Sequence, residues 1–251
     1  MAAVTKGWKL GVLGGFNLTY NDHPVSFTHG TARILAYLAM QERPQRRVHV
    51  AWTLWGELND RHALAALRSA LWRLPHEPGH PIVDCGGHHL ALDRHVTVDL
   101  AAANSLLAAL AAGDELPAVT DLTPLMQDIL PDWYDDWIVF PREQLRQRRL
   151  HSLETVSQRY ITERNFDRAI EFALRAVECE PLRESAHRCL IAAHLAEGNL
   201  TEAIRQRHAY LIRLTEADLP PVCYSLDALM RVAAVDAGVR GSTASPRTPA
   251  G

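Results

Sequence analysis

The chain has 251 residues, 47% hydrophobic and 22% charged, an ordinary globular composition with room for two domains. No run of 18 apolar residues and no charged-then-apolar leader is present, which argues against a membrane span and against export. The net charge of −3 hides an asymmetry, since residues 1–98 carry 10 Lys+Arg against 7 Asp+Glu and the rest carry 16 against 22.

A mildly basic part followed by an acidic one suits phosphate contact by the first and protein contact by the second. Only Lys6 and Lys9 are lysine. Arginine offers a planar fork for guanine or phosphate, and a GC-rich genome gives the same bias. Cys85, Cys179, Cys189 and Cys223 are scattered without a C-x-x-C pair, so reduced thiols in a cytoplasmic protein are expected.

In chain order, WKLGVLGGFNLTY (8–20) and HPVSF (23–27) read as an antiparallel pair turning at Asn21-Asp22. Thr31–Met40 is apolar at helical spacing and is entered through Thr28 or Thr31. Val48–Gly56 forms a short helix closed by its glycine. Residues 60–74 follow as a helix capped by Asp60, with Leu64, Leu67, Leu71 and Leu74 in one stripe. The opposite face carries His62, Ala65, Ala66, Ser69 and Arg73, with Arg61, Arg68 and Trp72 on its shoulder. Polar, cationic ends and a small middle would let such a helix approach base edges in a major groove about 12 Å wide. A solvated surface helix gives the same pattern. PIVDC (81–85) and HLALD (89–93) flank Gly86-Gly87 as a hairpin. Sheet, three helices and hairpin are the order of a winged helix-turn-helix.

From Asp99 the periodicity becomes helical. Leu100–Gly113 is one helix; a connection with Pro117, Pro124 and Pro131 leads to a long helix from Pro141, at its first position, to Arg164. Asn165–Ile170 recurs as Asn199–Ile204, an offset of 34 residues, which is the tetratricopeptide period. Ala169 and Ala203 would let helices approach, with Phe166 and Leu200 filling the layer between them. Stacked repeats build concave, protein-facing surfaces. The expected fold is therefore mostly α with a small N-terminal β-sheet: a winged helix over 1–98, a tetratricopeptide-like helical domain over 99–235, and a disordered tail over 236–251.

No catalytic chemistry is indicated. His76-Glu77-Pro78-Gly79-His80 satisfies H-E-x-x-H, but its proline and glycine break the helix that zinc binding needs. Gly11, Gly14 and Gly15 lack the dinucleotide fingerprint. Asp132, Asp135 and Asp136 stand among Trp133, Tyr134 and Trp137 and read as a helix start with packing aromatics. No enzyme, cofactor or metal is expected.

LRSALWRL (67–74), TLWG (53–56), YDDWIVFPREQLRQRRLHSLE (134–154) and CEPLRESAHRCLIAAHLAEGN (179–199) resemble the antibiotic regulatory proteins of streptomycetes, the SARP family. Those proteins pair an OmpR-type winged helix with a bacterial transcriptional activator domain, and the resemblance spans about residues 8–235. It departs in the third helix, where many members carry a Val-His-Val-Ser-Arg-Leu-Arg type run. The resemblance implies a cytoplasmic activator of a biosynthetic cluster on double-stranded promoter DNA. It also implies direct repeats, a possible second copy, and recruitment of RNA polymerase through its sigma factor. Arg61, His62, Arg68, Ser69 and Arg73 are the candidates for base contact. Thr28, Thr31 and Arg33, at the first helix N-terminus, and His88, His89 and Arg94, around the wing, are the candidates for backbone contact. For Thr28 and Thr31 simple capping is the other reading, and for His88 and His89 simple exposure. Two other functions stay open, a helical-repeat scaffold with vestigial DNA binding and a small-molecule sensor.

Overall fold

The computed structural model describes residues 7–114, 121–220 and 226–231. The expected tail over 236–251 and Cys223 lie outside the described residues. Those described fall into two compact units, one of residues up to 109 with those of 121–147, the other of 110–114 and from 148 on.

The first unit opens with β1 (Trp8–Gly11) and β2 (Asn17–Tyr20), antiparallel with Leu10 opposite Leu18. Asn21 and Asp22, at φ 51° and 66°, turn the chain into β3 (His23–Pro24). Residues 8–20, expected as one strand, are broken at Gly14 and Gly15, whose φ of 71° and 150° glycine alone adopts easily. Then come α1 (His29–Ala39), β4 (Gln45–Arg46), α2 (Arg47–Leu54) and α3 (Asp60–Trp72). Gly56 follows α2 because a Cβ there would lie 2.7 Å from the Trp52 carbonyl oxygen. β5 (Val83–Asp84) and β6 (His89–Leu92) form the hairpin, with Val83 opposite Leu92, and β4 pairs with the other edge of β6. β7 (Thr97–Val98) joins β1 in parallel, giving the sheet order β3-β2-β1-β7.

One cap decides between the two expected residues, and the other corrects the expectation. Thr28, not Thr31, caps α1, accepting the Thr31 N–H at 3.3 Å. Asn59, not Asp60, caps α3, accepting the His62 N–H at 3.1 Å. The buried stripe of α3 also differs: Ala63, Leu67 and Ala70 are buried, while Leu64 and Leu71 lie at its edge. The helix is thus turned by roughly 50° from the all-leucine stripe at 100° per residue. Small side chains go inward because α1 comes close: a Cβ on Gly30 would meet the Ala70 Cβ at 3.4 Å. The Thr31 hydroxyl donates to the Ala70 carbonyl at 3.4 Å across the same contact.

α4 (Asp99–Ala112) starts on Asp99, whose carboxylate accepts the N–H groups of Val12 and Leu13, each at 3.0 Å, and of Leu100 at 2.7 Å. α5 (Thr123–Met126) follows, and then residues 128–130 run beside the end of β1. The Leu130 N–H donates to the Val12 carbonyl at 2.8 Å, and the Gly14 N–H to the Asp128 carbonyl at 2.9 Å. Phe16 stacks on Trp133 at 5.8 Å, and Tyr37 meets Trp137 edge-on at 5.7 Å. α6 (Asp136–Thr162) begins before Pro141, where it was expected to start. Pro141 is the sixth residue of the helix and has no N–H to give the Trp137 carbonyl. Next to it, the Arg142 guanidinium donates to the carbonyls of Ile129, Leu130 and Trp133 at 3.0, 2.7 and 3.1 Å.

In the second unit α7 (Phe166–Cys179), α8 (Glu184–Glu197) and α9 (Leu200–Glu216) stack in sequence, and residues 226–231 are again helical. The 34-residue repeat marks two equivalent helix starts. Asn165 accepts the Arg168 N–H at 3.4 Å and Asn199 accepts the Glu202 N–H at 3.3 Å. Ala169 and Ala203 are fully buried, and Ser157 of α6 donates to the Ala169 carbonyl at 2.8 Å. Leu200, expected in the layer, is 41% exposed; Phe172, Leu190, Ile191 and Tyr210 are the large side chains buried there.

His187 is fully buried in this unit. Its Nε2 lies 2.9 Å from the Pro181 carbonyl, which fixes the Nε2–H tautomer, and its Nδ1 accepts from Gln206 at 2.7 Å. Burial, ahead of other effects, holds its pKa below the ordinary 6.5. Below 6.5 the unfolded chain binds a proton that the folded chain refuses, so stability rises with pH in that window. The stability is therefore full above 6.5 and falls as pH drops through the folded pKa. Urea midpoints of the whole protein should decline on acidification below 6.5, and His187→Gln should flatten that decline. An unchanged pH slope in the variant would show that His187 is not the group responsible.

Candidate nucleic-acid interface

The third helix presents one exposed face. Arg61, His62, Ala65, Arg68, Ser69, Trp72 and Arg73 are exposed, and Ala66 is half-buried. Opposite the buried stripe, the face centres on Arg61, Ala65, Arg68 and Trp72, spaced so that they align along the helix. Arg61, Arg68 and Arg73 have no carboxylate partner among the described residues. Arg73 is the C-cap, with φ −91° and ψ 7°, so it stands just past the last turn. All five expected base-contact residues therefore lie on open surface.

The expected backbone contacts divide. Thr28 is exposed but spends its oxygen on the cap. Thr31 is fully buried between α1 and α3, which removes it from any ligand. Arg33 is held inside the first unit: its guanidinium bonds Asp135 at 2.6 Å, with the two side chains 15% and 19% exposed, and lies over the Trp55 ring at 5.6 Å. It is a structural cation, not a free one. His88, in the hairpin loop, and His89, on β6, are both exposed, as is Arg94 just beyond. Asp93, beside Arg94, is kept ionised by the His95 N–H, which holds its pKa below the usual carboxylate value.

A cationic patch that the sequence pattern does not reveal lies beside the loop end of the hairpin. Arg43, Pro44, Gln45, Arg46, His49 and His89 line a cleft of about 500 Å³. Pairing of β4 with β6 places Arg46 directly opposite His89, a juxtaposition 43 residues apart in the chain. No periodicity announces a two-residue strand, so only the repeated arginines of Arg43–Arg47 hint at it.

In the second unit His151, Glu154, Gln158, Arg159 and Arg188 border a cleft of about 570 Å³. Glu154 is engaged by Arg183 at 2.7 Å and by Ser185 at 2.6 Å. Cys189, also at its wall, is pushed up to about 11 by burial and is no nucleophile at neutral pH. The H-E-x-x-H segment is not helical: Glu77 bridges His80 across a turn with Gly79 at φ 77°. Among the described residues no cluster could hold a metal ion, and no helix is long and apolar enough to cross a membrane.

The fold is a winged helix-turn-helix followed by stacked helical pairs, and comparison with known proteins agrees with it. Residues 100–221 match the family model of the bacterial transcriptional activator domain. A solved structure of Mycobacterium tuberculosis EmbR, in complex with a low affinity phosphopeptide, aligns with a TM-score of 0.60 at 18% identity. That alignment covers 94% of this chain and 71% of EmbR, and at this identity it speaks for the fold. Comparison with curated protein sequences finds no match. Residues 100–221 thus match a bacterial transcriptional activator domain, and the fold of the chain is the winged helix and helical domain that the SARP resemblance implies.

Proposed function

We propose that the protein is a sequence-specific, promoter-binding transcription activator. Residues 1–98 would carry the DNA-binding surface, with α3 in the major groove and the hairpin at the adjacent backbone; residues 99–235 would make the protein contacts. The observation that carries this reading is the exposed face of α3, where Arg61, Arg68 and Arg73 stand without a carboxylate partner among the described residues. Unpaired guanidiniums at Arg61 and Arg68 on one helix face, with Arg73 just past its end, match a polyanion. A scaffold with vestigial DNA binding leaves them without a use.

The finer assignments follow the SARP resemblance: direct repeats in the promoter, a second copy bound beside the first, RNA polymerase recruited through its sigma factor, and a secondary-metabolite cluster as target. Action on chromosomal promoters puts the protein in the cytoplasm. A small-molecule sensor is the second reading, favoured by the cleft that Arg159 and Arg188 border, which suits an anionic effector. The deciding experiment is a gel shift of the full chain on the region upstream of the neighbouring operon, titrated with salt. A shifted band that weakens with salt and resists competitor DNA is expected; no band at low salt would sink the proposal.

A further inference from the structure

Trp72 is 87% exposed, although an indole is among the largest apolar groups a chain can bury. It makes no ring or cation contact among the described residues. It is the last residue of α3 and lies on the same line as Arg61, Ala65 and Arg68. At 87% exposure the indole stands clear of the helix surface, on the line that Arg68 occupies one turn earlier. The third-helix face thus combines the free cations of Arg61 and Arg68 with one large apolar plate.

We propose that Trp72 determines sequence specificity by packing against a thymine methyl group in the major groove. The inference rests on the proposal that α3 reads DNA. The major groove is the one place where double-stranded DNA offers an apolar group at a base edge, the C5 methyl of thymine. Phosphate and guanine contact fall to the arginines beside it, whose charge brings the same face to the duplex. An indole desolvated there gains its burial energy only where the methyl is present, which converts surface area into sequence preference.

The test uses the full chain and duplexes recovered by selection from a random DNA pool with the wild-type protein. Each thymine of the recovered site is replaced in turn by deoxyuracil, which removes only the methyl. Wild type should lose about fourfold affinity at one position or two adjacent ones, the worth of a buried methyl. Trp72→Ala should bind the parent site at least about fivefold more weakly and be indifferent to the same replacement. Selection repeated with Trp72→Ser should lose the preference at that position. Equal binding by Trp72→Ala and wild type would overturn the proposal, and so would a loss that is the same at every sequence. Failure of the wild type to select any DNA would instead overturn the reading of α3 as a DNA-binding helix. Circular dichroism of both variants checks that the fold is kept, as an exposed position predicts.

Discussion

A fragment ending at residue 98 is expected to unfold at far lower urea than one ending at residue 147, and without a cooperative transition. The winged helix does not close on itself in this chain. Val12 and Leu13 give their N–H groups to Asp99, and the Val12 carbonyl takes the Leu130 N–H. Phe16 and Tyr37 lean on Trp133 and Trp137, and Arg33 is neutralised by Asp135. Cutting at residue 98 strips all of these partners and uncovers apolar side chains each worth about 1.5–3 kcal/mol when buried. It also leaves Arg33 partly buried without its carboxylate, a loss of up to about 3 kcal/mol. Such losses together are comparable to the whole stability of a small domain, roughly 5–15 kcal/mol. Equal urea midpoints for the two fragments would show that residues 121–147 only decorate the winged helix. Arg142→Ala in the full chain gives a finer version, because it frees three backbone carbonyls at once while removing no core side chain.

The same contacts explain what is legible in the sequence. Helix and hairpin identities can be read wherever the signal is local: leucine spacing, the Gly86-Gly87 turn, the asparagines that begin α7 and α9. The 34-residue offset is readable because each asparagine closes its own helix start within three residues. Rotation of α3 is not legible, because the approach of Gly30 to Ala70 is a tertiary fact that favours small residues over leucine. The start of α6 is hidden for a related reason, since a proline tolerated inside the first turns looks the same in sequence as one at the first position. Arg33 and Thr31 look like ligand groups because a helix N-terminus is a good anion site in isolation. Their partners, Asp135 and the Ala70 carbonyl, lie 102 and 39 residues away. Arg46 and His89 meet only through a two-residue strand pairing, which no composition or spacing rule detects.

The candidate interface should divide by salt dependence into two sets of residues. Arg43 and Arg46 sit beside the loop end of the hairpin in a cleft with His49 and His89, where a backbone phosphate fits and no base edge need be reached. Replacing both by alanine should weaken binding to every duplex alike and reduce the salt slope by about two, near 0.9 for each phosphate that is no longer neutralised. Arg68→Ala acts differently, because Arg68 stands in the middle of the exposed face of α3. It should cost about 1–3 kcal/mol on the preferred site and relax the preference at one base position. Arg33→Ala serves as the internal comparison: its guanidinium is committed to Asp135, so the variant should lose stability and keep the salt slope. The measurement is a series of binding isotherms across salt concentrations on a selected and a scrambled duplex. If Arg33→Ala flattened the slope while the Arg43 and Arg46 double variant kept it, the phosphate surface would lie on the α1 side and the cleft beside the hairpin would have no part in binding.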